Sequence, residues 1–341
     1  MNGPIGTVSP DDDDAMALSP AVFALDCVAE TRRIGEFICD TLARLHKRGV
    51  VLGLSGGVDS SVCAALAVQA LGPGKVLGLL MPERESSPQS VDLGAEVARR
   101  LELRCETEPI ADALEALGCY RRRDAAIRAL FPAYGKGWKN KIAIAGGRLH
   151  FFKLVVQDPQ GIQHSIRLPL REYLQIVAAT SFKQRIRQNL EYFHADRLNY
   201  AVLGTPNRLE YDQGFFVKNG DGAADLKPIA HLYKTQVYAL AEQLDLPRAV
   251  CESSPTTDTY SLAQGQDEFY FVLPYGQMDL ALWAHGHRRP ASELAHALGL
   301  EDSAARQVYA DIEAKRRGTR YLHEPPALVE PVFDRSAGSM L

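Results

Sequence analysis

The chain has 341 residues, 46% apolar and 23% charged, with 27 Gly and 19 Pro, a balance that suits one large or two modest buried cores. A net charge of −4 excludes the basic surface field of a nucleic-acid binder, and the clusters Arg121-Arg122-Arg123 and Lys315-Arg316-Arg317 are local. The six cysteines (27, 39, 63, 105, 119 and 251) form no C-x-x-C or zinc-like pairing, and no apolar run reaches the roughly 18 residues that span a bilayer.

Residues 1–19 contain "SPDDDD", an acidic, Pro-flanked segment that reads as a disordered tail, with no charged-then-apolar leader, so a cytoplasmic protein is expected. Ala21–Lys47 then reads as one long helix, with Val22, Leu25, Val28, Ile34, Phe37, Ile38, Leu42 and Leu45 near helical period and Gly49 closing it. Cys27, Cys39 and Cys63 fall in apolar helical patterns and read as small core residues. Three strand–helix units follow. Val50–Leu54 leads into a helix over Val58–Leu71, Lys75–Met81 leads into Val91–Leu101, and Leu103–Ile110 leads into Ala111–Leu117. Such alternation, with strands nearly continuous in apolar residues, predicts a parallel sheet covered on both faces.

Between about residues 120 and 176 the rhythm stops, and "LHFFKLVVQDPQGIQHSIRLPL" holds two β-prone segments around the turn signal Asp158-Pro159-Gln160-Gly161, which predicts an inserted hairpin. The rhythm resumes with a helix over Phe182–Arg197, a strand over Tyr200–Leu203, a Gly- and Asp-rich loop, and a helix over Tyr233–Leu244. A final helix is expected at about Ser303–Arg316, before a tail with Pro325-Pro326 and Pro331. No internal repeat is visible. Residues 20–327 are therefore read as a single α/β domain with an insert, and 328–341 as a C-terminal tail.

The stretch "VVLGLSGGVDSS", Val50–Ser61, carries the first chemical signal. It lacks the Lys of a Walker A loop and does not match G-x-G-x-x-G. Gly56 and Gly57 let backbone N–H groups close on an anion at a helix start, and the hydroxyls of Ser55 and Ser60 add to it. Asp59 would repel a phosphate unless a Mg²⁺ lay between them. A generic strand–helix turn, with Asp59 and Ser60 as helix-start residues, is the other reading of this spacing.

SGGVDS resembles the S-G-G-x-D-S pyrophosphate loop of the N-type ATP pyrophosphatases, which split ATP between the α and β phosphates and adenylate an oxygen of their substrate. Ser181–Leu244, with "SSPTTD" at Ser253–Asp258 and "KRR" at Lys315–Arg317, resembles one branch of them, ammonia-dependent NAD synthetase. The likeness runs over most of Val22 to Pro326, apart from the insert. It implies a doubly wound, mainly parallel α/β sheet with helices on both faces and an inserted β-hairpin. It also implies ATP as co-substrate, Mg²⁺, deamido-NAD as the acid and a homodimer.

By the same resemblance, ATP falls to Gly53, Leu54, Ser55, Gly56, Gly57, Val58, Asp59 and Ser60, joined by Thr205, Lys234 and Thr256. Glu210, after a strand at the carboxyl edge of the sheet, would complete a two-carboxylate Mg²⁺ site with Asp59, and these two with Lys234 form the catalytic set. A Lys at the start of a helix opposes the helix dipole, so an anion there gives Lys234 a role. Asn207 orients the loop between them. Arg185, Lys218, Asp225 and Lys315 map onto the positions for deamido-NAD. Arg185 lies beside the apolar stripe of Phe182, Ile186, Leu190 and Phe193, free to reach a carboxylate or phosphate. Lys218 and Asp225 flank "NGDGAAD", within which Asp221 has no assigned role.

Two features depart from the pattern. Ala314 precedes Lys315 where relatives often have His, and the similar "HGHRRP", His285–Pro290, reads as a surface decoy. The insert residues Trp138, Lys139, Lys141 and Phe151 would cap the acid site, alter a dimer contact, or merely decorate the surface. No amidase domain accompanies the chain, so ammonia is expected free or from a separate glutaminase. The rivals are an amide ligase for another carboxylic acid and a nucleotide-binding regulator without turnover. A tRNA-modifying enzyme is disfavoured by the missing cysteine pair and the acidic charge.

Overall fold

The computed structural model describes residues 17–145, 151–253, 260–262, 264–265, 270–271, 273–330 and 332. The expected acidic tail up to residue 16, most of the C-terminal tail and Thr256 lie outside the described residues. The strands are β1 (Val50–Gly53), β2 (Val76–Leu80), β3 (Arg104–Thr107), β4 (Lys139–Ala145), β5 (Phe151–Gln157), β6 (Gln163–Arg167) and β7 (Ala201–Val202). The near-continuous apolar segments pair as a parallel four-stranded sheet in the order β3-β2-β1-β7. Because β2 and β3 lie on one side of β1 and β7 on the other, the topological switch point falls between β1 and β7. In open α/β sheets that is where the carboxyl ends of strands leave a crevice for ligands.

The helices in chain order are α1 (Cys27–Arg44), α2 (Val58–Leu71), α3 (Pro88–Arg100), α4 (Ala111–Ala116), α5 (Cys119–Arg128) and α6 (Leu170–Leu198). They continue with α7 (Arg208–Gln213), α8 (Lys234–Gln243), α9 (Arg248–Cys251), α10 (Tyr275–Gly286), α11 (Ala291–Leu298) and α12 (Asp302–His323). Alternate strand residues face opposite layers. Val50, Leu52 and Leu80 pack with Ile34, Ile38, Val62, Leu66, Val97 and Val237 of α1, α2, α3 and α8. Val51, Leu77, Leu79 and Val202 pack with Leu114, Tyr120 and Ala195 of α4, α5 and α6. Burial on both faces is why these strands carry no polar alternation. A third cluster, from α10, α11 and α12, closes on Leu209 and Tyr233 and so braces the starts of α7 and α8.

Several expectations need correction. The helix expected over Ala21–Lys47 is broken: Pro20–Phe23 is a 3-10 turn, and α1 starts afresh because Asp26 accepts the Val28 and Ala29 N–H groups at 3.1 and 3.0 Å. Cys39 is exposed rather than core. The insert is a three-stranded antiparallel meander, β4-β5-β6, rather than a hairpin alone. Its predicted turn is real, with the Asp158 carboxylate accepting Gln160 and Ile162 N–H at 3.0 and 2.9 Å. The helix expected from Phe182 begins at Leu170 and runs 29 residues, joining the insert to the central block without a break. Phe193 on it points outward at 57% exposure. The final helix extends to His323, and α10 and α11 were not anticipated. No helix among the described residues is long and apolar enough to cross a membrane.

A buried ionic cluster ties the loop after β2 to α5 and α6. Lys183, fully buried, donates to Glu83 at 2.8 Å and Glu85 at 2.6 Å; Arg123 pairs with Glu85 at 2.5 Å and Asp124 at 2.8 Å; and the Tyr120 hydroxyl donates to Glu83 at 2.7 Å. Burial opposes the charge on Glu85, but Lys183 and Arg123 outweigh it and hold its carboxyl below the usual range. Removing one side of such a cluster strands the other. Lys183→Met is accordingly expected to lower unfolding free energy by about 3–5 kcal/mol, read from urea midpoints. A loss under about 1 kcal/mol, the scale of an exposed pair, would mean that the cluster is solvated.

Candidate active site

β1 ends at Gly53 and the chain turns through Leu54–Gly57 into α2. Gly56 has φ +77, and a Cβ there would stand 2.3 Å from the Ser90 carbonyl oxygen, so only glycine lets α3 close on this turn. The turn is folded by its own hydroxyls. Ser60 Oγ donates to Gly57 O at 3.0 Å and lies 3.1 Å from Ser55 Oγ, which accepts the Gly57 N–H at 3.2 Å. No side chain among the described residues caps α2, so the N–H groups of its first turn, including Val58, Asp59 and Ser60, are open to an anion above the loop.

Across the switch point, Leu203 bridges to Leu226, Gly204 N–H bonds Leu226 O at 2.9 Å, and half-buried Thr205 follows at the carboxyl edge of β7. Asn207, fully buried, caps α7: its Oδ1 accepts the Glu210 N–H at 3.2 Å, while Glu210 Oε2 accepts the Asn207 N–H at 3.2 Å. The same Asn207 donates from Nδ2 to Asp59 Oδ1 at 3.0 Å. One residue therefore joins the two carboxylates that the sequence places 151 positions apart, Asp59 and Glu210 (210 − 59).

Lys234 opens α8, is 2% exposed, and donates to Asp59 Oδ2. Burial works against its charge, yet Asp59 and then Glu210 more than compensate and raise its pKa, so it stays cationic through the physiological range. Two groups steady it. Asp279 of α10, fully buried, accepts the Thr235 N–H and hydroxyl, both at 2.8 Å, while its Oδ1 has no hydrogen-bond partner among the described residues. The Tyr238 ring lies 6.0 Å from Lys234 Nζ, and its hydroxyl donates to Ser253 O at 2.7 Å.

The four positions expected for deamido-NAD divide. Arg185 is exposed and its Nε reaches Lys218 O at 3.4 Å; Lys218 Nζ donates to Tyr321 O at 2.6 Å and Glu324 O at 3.1 Å, at the end of α12. Lys315, two turns earlier on α12, pairs with Asp311 at 2.6 Å and donates to Tyr270 O at 2.5 Å, and burial lowers its pKa. Asp225 carries a structural bond, accepting the Val202 N–H at 2.7 Å. The "HGHRRP" loop ends α10, where His285 lies 3.3 Å from Glu313 and 3.2 Å from Arg316, and Arg289 pairs with Glu293 at 2.5 Å. Arg316 in turn grips Asp212 at 2.6 and 2.8 Å, fastening α12 to α7. Sequence reasoning missed Asp279 and Lys183, which sit in ordinary helical patterns. It also missed Glu191, whose carboxyl lies against Gly53 and is pushed up to about 8, chiefly by burial.

The NAD synthase family model matches residues 30–128 and 157–321, spanning this whole arrangement. The chain belongs to the NAD synthase family. It is 54% identical over 325 residues to the NH3-dependent NAD synthetase of Rhizobium meliloti (strain 1021), covering 94% of this chain and 97% of that one. Two solved structures share the fold. The NH3-dependent NAD synthetase of Campylobacter jejuni is 22% identical with a TM-score of 0.60, covering 90% of this chain and all of that one. The NMN synthetase of Francisella tularensis is 21% identical with a TM-score of 0.60, covering 91% of this chain and all of that one. The family match breaks over residues 129–156, within the insert, and resumes before α6.

Asp279 gives a pH signature. Burial is the main cause raising its carboxyl from 3.8 to about 6. A raised folded-state pKa on an acid adds stability that is full below the unfolded value and is lost as pH rises through the folded one. Between about pH 4 and pH 7 the wild type should therefore lose roughly 3 kcal/mol relative to Asp279→Asn, measured by urea unfolding at each pH. Parallel stability–pH curves for the two proteins would show that Asp279 does not titrate in this window.

Proposed function

We propose that this chain is an ammonia-dependent NAD synthetase, joining deamido-NAD and ammonia at the expense of ATP and releasing NAD, AMP and pyrophosphate. The reading is carried by one observation: Asp59, Asn207, Glu210 and Lys234 meet at the switch point between β1 and β7, in a chain 54% identical to an NH3-dependent NAD synthetase. The NMN synthetase of the same fold shows that architecture does not choose the acid, and the full-length identity favours deamido-NAD.

In the first half-reaction a nicotinate carboxylate oxygen attacks the α-phosphorus of ATP, the bond to the β-phosphate oxygen breaks, and an acyl-adenylate forms. Such transfer needs positioning and charge compensation more than covalent help from the protein. The N–H groups at the start of α2 and the Ser55 and Ser60 hydroxyls would hold the phosphates, with Lys234 countering the charge that develops on pyrophosphate. Residues 20–327 would act as one domain here, with Thr205 and Thr256 at its nucleotide side. Asp59 and Glu210 suit Mg²⁺, being hard oxygen donors linked through one buried Asn207, and would hold it there. When bound, Mg²⁺ would neutralise phosphate charge. Ammonia then attacks the acyl carbon, the C–O bond to AMP breaks, and the amide nitrogen loses a proton to solvent. Arg185, Lys218 and Lys315 would recognise the acid, and Asp225 would support them through the end of β7. A cytoplasmic homodimer drawing ammonia from solution or from a separate glutaminase completes the proposal.

The test is release of AMP and pyrophosphate from ATP, Mg²⁺ and ammonium, with and without deamido-NAD, in wild type and Asp59→Ala. One AMP and one pyrophosphate per NAD are expected, all dependent on deamido-NAD, with the variant at least about 100-fold slower. Silence with deamido-NAD but turnover with nicotinate mononucleotide or another carboxylate would reassign the acid. ATP binding without pyrophosphate release from any acid would leave a regulator.

A further inference from the structure

The insert carries a charge that the whole-chain figure hides. Residues 129–169, between α5 and α6, hold Lys136, Lys139, Lys141, Arg148, Lys153 and Arg167 against one acid, Asp158: a formal +5, which leaves −9 for the other 300 residues of a chain whose total is −4. That acid is already committed. Its carboxylate accepts the Gln160 and Ile162 N–H groups and lies 3.4 Å from His164, at the turn between β5 and β6. Strand register decides where the cations go. Ile142, Leu154 and Val156 turn inward to pack with Tyr134 and Ile176, so the alternate residues form the outer face. One row across that face is Lys141, Val155 and Ser165, and the next is Ala143, Lys153 and Arg167.

Lys153 and Arg167 are therefore direct cross-strand neighbours, a like-charge pair that destabilises a bare sheet. Arg167 lies over the Phe151 ring at 5.3 Å, and among the described residues no carboxylate pairs with it or with Lys153. Beside the pair is a cleft of about 320 Å³, lined by Lys141, Lys153, Gln163 and Ser165 over a floor of Ala143 and Val155. That floor is buried, with Leu262 packed on it. Cations, an amide and a hydroxyl over an apolar base suit a small anion. Opposed residues stand about 5 Å apart at their bases and diagonal ones about 7–8 Å, so Lys153 and Arg167 can close on one phosphate while Lys141 reaches the next. We propose that this outer face of the insert is a second phosphate site, separate from the turn at α2, for a small ligand with two or three linked phosphates, either a nucleoside polyphosphate or the inorganic chain. A polymer fits less well, because the −9 of the surrounding chain repels any polyanion that extends past the insert. The family match is broken over residues 129–156, which include β4 and most of β5, so the site belongs to the insert rather than to the shared core.

Titration calorimetry of the full chain with inorganic triphosphate, without Mg²⁺, tests it. Wild type should bind with a Kd below about 1 mM. Lys153→Gln and Arg167→Gln should each weaken binding about tenfold, the size of one hydrogen bond to a charged group, and Lys153→Arg should retain it. Ser165→Ala should weaken it about threefold, the size of a neutral hydrogen bond. Arg44→Gln removes the same charge from α1, in the opposite helix layer, and should change nothing. The steady-state constants for ATP should stay at wild-type values in both glutamine variants of the insert, since neither residue lies at the switch point. Competition then identifies the ligand. Displacement by ATP more tightly than by triphosphate supports a nucleotide, and equal displacement supports the phosphate chain alone; AMP competing as well as either overturns the need for linked phosphates. An affinity unchanged in Lys153→Gln and Arg167→Gln puts the triphosphate at the α2 turn and overturns the proposal. An equal loss in Arg44→Gln marks a diffuse field and overturns it too. Retention of single-stranded RNA through Lys153 and Arg167, with no triphosphate bound, also overturns it and makes the face a polymer site.

Discussion

Lys234 stands at the positive end of α8, where the helix dipole disfavours a cation, and it is held there by Asp59 at the start of α2. Neither group is solvated enough to stand alone: their side chains are 3% and 17% exposed. Deleting either partner of such a pair typically removes roughly 3–5 kcal/mol, because the survivor is left buried and uncompensated. The pair is therefore a constraint on the whole fold. It can exist only if α2 and α8 start at the same point of the sheet edge, which requires β1 and β7 to be neighbours. The rest of the architecture supplies those conditions. Asn207 fixes the second Asp59 oxygen, Asp279 pins the first turn of α8 from behind, and Arg316 holds α12 against α7.

What could be read from the sequence followed from how local the governing interaction is. The strand at Val50, the glycine turn and the helix at Val58 were legible because apolar continuity, two glycines and a helix start lie within a dozen residues. The predicted helix ends failed where one distant or unusual contact decides. Asp26 looks like a solvated acid inside an apolar pattern, yet its side chain takes two N–H groups and restarts the helix. The start of α6 was obscured because Leu170 and Leu174, which head the helix, are exposed and mimic the end of the preceding β-segment. β4 alternates Lys, Asn and Ile, and only its pairing with β5 reveals a strand. In the site, the resemblance supplied Asp59, Glu210 and Lys234. Asp279 and Lys183 gave no signal, since an acid or a lysine within a helix is ordinarily a solvated one.

The residues expected to hold the acid are arranged by the same logic of partial charges. Lys218 spends its ammonium on two carbonyl oxygens at the C-terminus of α12, where the helix dipole attracts a cation. Lys315 lies along the same helix against Tyr270, with Asp311 one turn back. Both cations thus have partners that an incoming carboxylate or phosphate must displace or share, and burial has already weakened the hold of Lys315 on its proton. Asp225 differs in kind. Its bond to the Val202 N–H makes it a part of the sheet end, so its effect on substrate would pass through the position of Thr205 rather than through direct contact.

The insert reaches the residues expected to hold the acid in a way that neither the loop motif nor the parallel sheet requires. α6 begins inside it, passes Lys183 and its buried acids, and reaches Arg185 beside Lys218 within a single helix. Its first strand meanwhile takes up Leu262 and Gln264 beyond Ser253. A rigid helix and a strand edge are both poor at absorbing displacement, because slipping either by one residue breaks several bonds at once. A movement of the insert would therefore be carried along α6 toward Arg185 and Lys218. The two half-reactions need their substrates aligned to within a fraction of an ångström of each other. An inserted unit continuous with α6 constrains the acid side of that alignment more than a separate loop would.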